Sequence, residues 1–191
     1  MKNIFFTSDL HFGHKNVIEY SKRPFSSVEE MDEMLISNWN NVVSQQDEVY
    51  LLGDVSLTTK EKTLKLLKRL VGQIYLVKGN HDKKTISGDC VKRFGWIKDY
   101  YELSVPDEDA NRGEQKIILS HYPFLTWNRS HHCSWSLHGH SHGSLPDDPY
   151  ARRLDIGVDA HNYEPVSYER IKTLMAKKIF RPVDHHKERN E

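Results

Sequence analysis

Short apolar runs that stop abruptly on chemistry-bearing residues constrain this chain more than any other feature. Ile4-Phe5-Phe6 leads into Ser8-Asp9-Leu10-His11, Val49-Tyr50-Leu51-Leu52 stops on Gly53-Asp54, and Ile74-Tyr75-Leu76-Val77 leads into Gly79-Asn80-His81-Asp82. Runs this short, rich in β-branched and aromatic residues and bounded by glycine, read as buried strands.

Helical patterns separate them. In "RPFSSVEEMDEMLISNWNNVVS", Val28, Met31, Leu35, Trp39 and Val42 recur at helical spacing, and Ser27 with Glu30 forms a capping box behind Pro24. A second helix opens on the box Thr58/Glu61, lines one face with Leu64, Leu67 and Val71, and stops at Gly72 in the C′ position. Lys60, Lys65, Lys68 and Arg69 read as its solvated side. Residues 85–96 carry a weaker pattern with a short helix. "YYELSV" and "EQKIILSHYP" read as a hairpin, "SWSLHGHSHG" and "RRLDIGV" as later strands, and "SYERIKTLMAKKI" as a last helix. Helix-separated strands followed by hairpins predict an α/β fold with a mixed sheet, or two mixed sheets sandwiched between helices. One domain is expected over residues 1–178, with a charged tail at 179–191 whose "DHHKERNE" end frays.

Composition removes several function classes. Lys+Arg and Asp+Glu are both 27, so the strongly basic footprint of a protein that tracks long nucleic acid is missing. No run approaches the ~18 apolar residues of a membrane span. Lys2, Asp9 and His11 interrupt any leader-like N-terminus, and Cys90 and Cys133 form no CxxC, so a cytoplasmic setting is the expectation. Histidine is the unusual count, at 12, and most of these residues fall in short clusters.

Asp9/His11, Asp54, Asn80/His81, His121 and His138/His140/His142 each follow the end of an apolar strand. In open α/β sheets that is where sites form. On an extended segment residues i and i+2 point the same way, so Asp9 with His11, and His140 with His142, are expected to reach one centre together. Gly53, Gly79 and Gly139 stand beside these residues and allow close backbone approach. The donors are imidazole, carboxylate and amide, with no thiolate, which suits manganese, iron, zinc, cobalt or nickel. They are too many for one tetrahedral zinc. They suit two metals roughly 3.5–4 Å apart that share a carboxylate.

The blocks "SDLH", "LLGDV", "KGNHD", "SHYP" and "HGHSHG", in that order, resemble the calcineurin-like metallophosphoesterase superfamily, whose pattern is D-x-H, G-D, G-N-H-[DE], a lone His after a strand, and G-H-x-H. The flanking sequence is similar to small bacterial and phage members, and the likeness covers about residues 1–175. It implies two mixed sheets flanked by helices. It implies a hydrolase, a phosphodiesterase or phosphatase, that carries two divalent ions, manganese foremost. Asp9, His11 and His142 would hold the first metal, Asp54 would bridge, and Asn80, His121 and His140 would complete the second. A metal-bridging hydroxide would attack phosphorus, with His81 as general acid and Asp82 orienting His81. His14 and Arg23 are candidates for contact with the phosphate. His138 is expected to support or pack, since the pattern does not ask for histidine there.

The substrate expected is a small phosphate ester, a phosphodiester or nucleotide. A nuclease is the alternative, although zero net charge and little room for a DNA-handling domain weigh against it. A non-catalytic scaffold would have lost ligands or the acid histidine, and none is lost here.

Overall fold

The computed structural model describes residues 2–83, 87–181 and 183. Strands β1 (Ile4–Thr7), β2 (Glu48–Leu51), β3 (Gln73–Val77) and β4 (Phe94–Lys98) run parallel. The short β9 (Val166–Ser167) joins antiparallel to β1, giving a first mixed sheet ordered β4-β3-β2-β1-β9. A second mixed sheet, β5-β6-β7-β8, holds the expected antiparallel hairpin of β5 (Tyr101–Pro106) and β6 (Glu114–Leu119). There β7 (Trp135–His138) and β8 (Arg153–Asp155) follow parallel to β6.

The apolar runs are continuous because the first sheet is covered on both faces. Alternate residues point to opposite sides. Phe5, Val49, Leu51, Ile74 and Leu76 pack against helices α1 (Lys15–Tyr20), α2 (Val28–Val42) and α3 (Lys60–Leu67) through Val17, Met31, Leu35, Trp39 and Leu67. Phe6, Tyr50, Leu52 and Val77 face the second sheet, where they meet Leu103, Ile117, Leu119 and Leu137. Helix α4 (Tyr168–Met175) closes that second core with Tyr168, Ile171 and Met175.

Local details depart from the sequence reading in instructive ways. Ser27 Oγ does accept from Glu30 N–H at 3.1 Å, but the Glu30 carboxylate turns to the backbone N–H of Ser26, at 2.7 Å. The cap of α3 is Thr59, not Thr58. Thr58 is committed elsewhere: a Cβ added to Gly13 would stand 2.6 Å from its own Cβ. Helix α3 ends before Gly72, and the Arg93 guanidinium takes the carbonyls of Leu67, Leu70 and Gly72 at 3.2, 2.8 and 2.9 Å. Three elements escape the periodicity reading because each is too short to show a period: α1, β4 behind a 3₁₀ turn at Gly88–Arg93, and β9. Beyond α4 the backbone still bonds the body, with Ile179 N–H donating to Pro149 and Arg181 N–H to Tyr150. The "DHHKERNE" end lies outside the described residues. Among the described residues no helix is long and apolar enough to cross a membrane.

Asp32 ties α2 to the loop after β1 by accepting from Gly13 N–H at 3.0 Å. Burial, with Glu29 and Glu33 adding repulsion, pushes its carboxyl up to about 6. A raised carboxyl favours the folded state when protonated, so its stabilising effect is complete below pH ~3.9 and is lost as pH rises through 6. Asp32→Asn keeps the acceptor and removes the charge. It should unfold at higher urea than the parent at pH 7.5, with the difference vanishing by pH 4.

Candidate metal centre

Parallel strands bring their carboxyl ends to one edge, and the loops leaving β1, β2, β3, β6 and β7 meet there. The two members of each i, i+2 pair do not converge by strand pleating, as expected from sequence. Asp9, His11, Asp54, His140 and His142 all adopt left-handed backbone, with φ of 59°, 50°, 55°, 67° and 49°. The chain turns at each of these residues. It is pinned by Asp9 N–H to the Gly53 carbonyl at 3.0 Å and His11 N–H to the Asp54 carbonyl at 2.9 Å. The neighbouring glycines are sterically required. A Cβ on Gly139 would fall 1.9 Å from Ser8 Oγ and 2.5 Å from Asp9 Oδ2, and one on Gly79 would fall 2.3 Å from Asp54 Oδ1.

What converges is a set of bare acceptors. His121 Nδ1–H donates to the Leu52 carbonyl at 2.7 Å, so its Nε2 carries a lone pair. His121 Nε2 lies 3.0 Å from Asn80 Oδ1 and 3.6 Å from Asp54 Oδ2. Asp54 Oδ2 also lies 3.5 Å from His11 Nε2 and 3.9 Å from His81 Nε2. Asp9 Oδ2 accepts from His140 N–H at 2.9 Å, while Asp9 Oδ1 and His11 Nε2 are buried with no hydrogen-bond partner among the described residues. Donor atoms of Asp9, His11 and His142 lie within 4.8 Å of one another, as do those of Asp9, Asp54 and His121. His140 stands further out and exposed, its ring 5.1 Å from that of His121.

Electrostatics agree with this geometry. Burial pushes the Asp9 carboxyl up to about 8, against the pull of His142 and with repulsion from Asp155 and Asp54. Burial, helped by His142 and Arg23, drives His11 down to about 2. Burial also lowers His140. Lone pairs facing one another in a buried space are costly unless a cation lies between them. Divalent metals therefore fit the residues present.

Other side chains fix the backs of these groups. Burial alone would lower His142, but Nδ1–H donates to Asp159 Oδ2 at 2.7 Å, and the net shift is upward. Asp159 was not singled out by sequence. Its only signal there is its place inside "RRLDIGVDAHNYEP". The expectation that Arg23 grips a phosphate does not hold. Its side chain is fully buried, and Nε and Nη2 bind Asp159 at 2.8 Å each. Nη2 also donates to the Asp9 carbonyl at 2.7 Å and Nη1 to that of Leu10 at 3.0 Å. Arg23 is a strut behind the site. The expectation that Asp82 orients His81 also fails. Asp82 Oδ2 accepts from the N–H groups of Gly79 and Asp54 at 2.7 and 2.9 Å, and Oδ1 accepts from Val55 at 2.8 Å. It clamps two site loops together. His81 itself is tied through its backbone N–H to Asp54 Oδ1 at 2.9 Å, and its ring is 40% exposed. His14 lies beside His11, Nδ1 to Nδ1 at 3.4 Å, on the wall of an open cleft shared with His81, His140 and His142. His138 is not part of the cluster. Its Nδ1–H donates to the Gly139 carbonyl at 2.9 Å.

Two mixed sheets flanked by helices, with oxygen and imidazole donors gathered at one edge, define the metallophosphoesterase class of fold. Residues 2–105, more than half of the chain, match the family model for calcineurin-like phosphoesterases, and the chain belongs to that family. It is 35% identical to the uncharacterized protein MJ1445 of Methanocaldococcus jannaschii over 96% of this chain and 98% of that one. It is 31% identical to the Gene 66 protein of Mycobacterium phage L5 over 84% of this chain and 88% of the relative. The solved structure of AQ665 from Aquifex aeolicus, a protein of unknown function, has the same fold, with a TM-score of 0.65 at 24% identity over 91% of this chain and all of that one. Membership implies metal-dependent hydrolysis of phosphate esters.

A strut and a phosphate grip respond differently to substitution. Lysine cannot make the forked contact with Asp159 while reaching two carbonyls. Arg23→Lys should lower the stability of the metal-free protein by about 2–4 kcal/mol in urea titrations. Unchanged stability with weakened inhibition by inorganic phosphate would restore the grip.

Proposed function

We propose that this protein is a dinuclear metal-dependent phosphoesterase acting on small phosphate esters, with phosphodiesters or nucleotides as the substrate class. One observation carries the reading: ligand atoms of Asp9, His11 and His142, and of Asp9, Asp54 and His121, gather within 4.8 Å of one another, and Asp9 Oδ1 and His11 Nε2 are buried with no hydrogen-bond partner among the described residues. In this reading Asp9, His11 and His142 hold one ion, Asn80, His121 and His140 hold the other, and Asp54 serves both. Two such ions supply Lewis acidity, lowering the pKa of water and neutralising charge on phosphate oxygens.

The chain's own residues do the rest. Asp159 and the Leu52 carbonyl set the tautomers of His142 and His121, so each imidazole offers Nε2 inward. His14 lines the cleft where the ester would lie. His81 combines a fixed backbone with a partly exposed ring, so it is held at the site and open to a substrate in the cleft. As the acid it gives its proton to the departing oxygen, which matters most when that oxygen is strongly basic. Asp82 contributes by holding the loops that carry Asp54 and His81 at a fixed separation.

The assay starts from metal-stripped protein to which Mn²⁺ is returned. Bis(4-nitrophenyl) phosphate and 4-nitrophenyl phosphate are then compared as substrates. Turnover should require metal and be lost in Asp54→Ala together with paired metal binding. His81→Ala should keep its metal content and slow alkyl esters by roughly 10²–10⁴-fold, nitrophenyl esters far less. If His81→Ala loses metal as completely as Asp54→Ala, the division of roles is wrong. No turnover of either ester by the metal-loaded parent would count against the phosphoesterase reading.

A further inference from the structure

After β6 and His121 the chain runs Tyr122-Pro123-Phe124-Leu125, in which Tyr122 and Leu125 are exposed and Pro123 and Phe124 half-buried. Tyr122 is 47% exposed and Leu125 74%. Scattered exposed apolar residues are ordinary; what distinguishes these is their place beside the candidate metal centre. Tyr100, from the turn between β4 and β5, adds to the patch, its ring 6.2 Å from that of Phe124. The patch begins at the candidate metal centre itself. The Tyr122 ring packs edge-on to His140 at 4.7 Å and to His121 at 5.1 Å. Tyr20, 75% exposed, lines the cleft together with His140 and His142.

A substituent that extends past His140 from an ester at this edge would meet the Tyr122 ring, the start of an aromatic apron. The chemistry of the apron selects its occupant. A flat ring stacks on a planar group, and the Glu102 carboxylate, which accepts from Tyr100 Oη at 2.7 Å, disfavours a second negative charge along the patch. Lys22 is the one lysine or arginine lining the cleft among the described residues, and the chain's formal net charge is +0, so the basic track that a long nucleic acid needs is missing. We infer that the apron is a base-binding subsite: the substrate is a nucleoside phosphodiester whose base stacks on Tyr122. This rests on the phosphoesterase reading above and goes beyond it by naming the arm of the substrate and the residue that selects it. Stacking of a base on an aromatic side chain corresponds to roughly 5- to 100-fold in affinity.

The test varies one arm and holds the leaving group constant. In Mn²⁺-loaded protein, thymidine 5′-(4-nitrophenyl phosphate) should exceed methyl 4-nitrophenyl phosphate in kcat/KM by about tenfold or more. Tyr122→Ala should bring that ratio close to one, while Tyr122→Phe keeps it. Calorimetric titration with thymidine 5′-monophosphate against methyl phosphate should show the same preference and the same loss, with no turnover involved. Binding preference that survives without hydrolysis of either ester would sustain the subsite and overturn the phosphoesterase reading. Hydrolysis of both esters with a ratio that Tyr122→Ala does not move would overturn the subsite alone. So would a parent dimer in sedimentation that Tyr122→Ala dissociates with the ratio intact, since the apron would then be an interface between copies of the chain.

Discussion

Two fully buried carboxylates, Asp9 and Asp54, share one sheet edge with imidazoles whose inward nitrogens approach them at 3.5 to 4.0 Å. Charge of that kind is tolerated in a protein interior only when it is paired or coordinated. The buried cation nearest to hand, Arg23, is spent on Asp159 and on backbone carbonyls behind Asp9, not on the free carboxylate oxygens. The free carboxylate oxygens are therefore left for a proton or for a cation bound at the edge, and the metal dependence of the family agrees with the second. The surrounding loops are arranged to hold acceptors close together until a cation arrives.

That arrangement has a conformational cost. Left-handed backbone at a residue other than glycine is disfavoured by about 1–2 kcal/mol, and five candidate ligands adopt it. Such strain persists only where the surroundings over-determine it. Here the determinants can be named. Asp82 gathers three backbone N–H groups from two loops, Arg23 braces the carbonyls of Asp9 and Leu10, and Asp159 joins Arg23 to His142. Gly139 lets the last loop press against Ser8 and Asp9. Two charged side chains that the sequence suggested for substrate contact and acid–base support thus act on backbone, and the candidate ligands sit where those contacts place them.

Much of the architecture was legible because buried strands and capped helices leave local signals. Val49–Leu52 and Ile74–Val77 announce strands through composition, and Ser27 announces α2 through its cap. The residues of the site were legible too, because each follows a strand end in an ordered series of short blocks. Their backbone was not. The i, i+2 spacing of Asp9 and His11 suits a pleated strand as well as a left-handed turn, and only the meeting of β1 with β2 decides between them. The roles of Arg23 and Asp82 were illegible for a related reason. An arginine or aspartate in a motif looks the same in sequence whether it faces a phosphate or an amide. Asp159 lies 136 positions from Arg23, and no local pattern signals a pair at that distance.

Metal affinity and loop stability are, in this design, the same quantity seen from two sides. The turns are strained with or without a cation, whereas the buried Asp9 carboxyl, pushed up to about 8 without one, would release its proton to a bound cation. A ligand that binds only the folded state stabilises it in proportion to RT ln(1 + [L]/Kd). The braces must therefore be strong enough to keep the edge assembled without its ions, or the ions would have to bind and fold the loops at once. Their placement meets that requirement. Arg23, Asp82 and Asp159 are buried on the protein side of the ligands, in contact with the two-sided core of the first sheet, where solvent and substrate do not compete for them. The face turned to solvent is left to His81, His14 and the aromatic flanks, the groups to which the proposed function gives contact with a substrate.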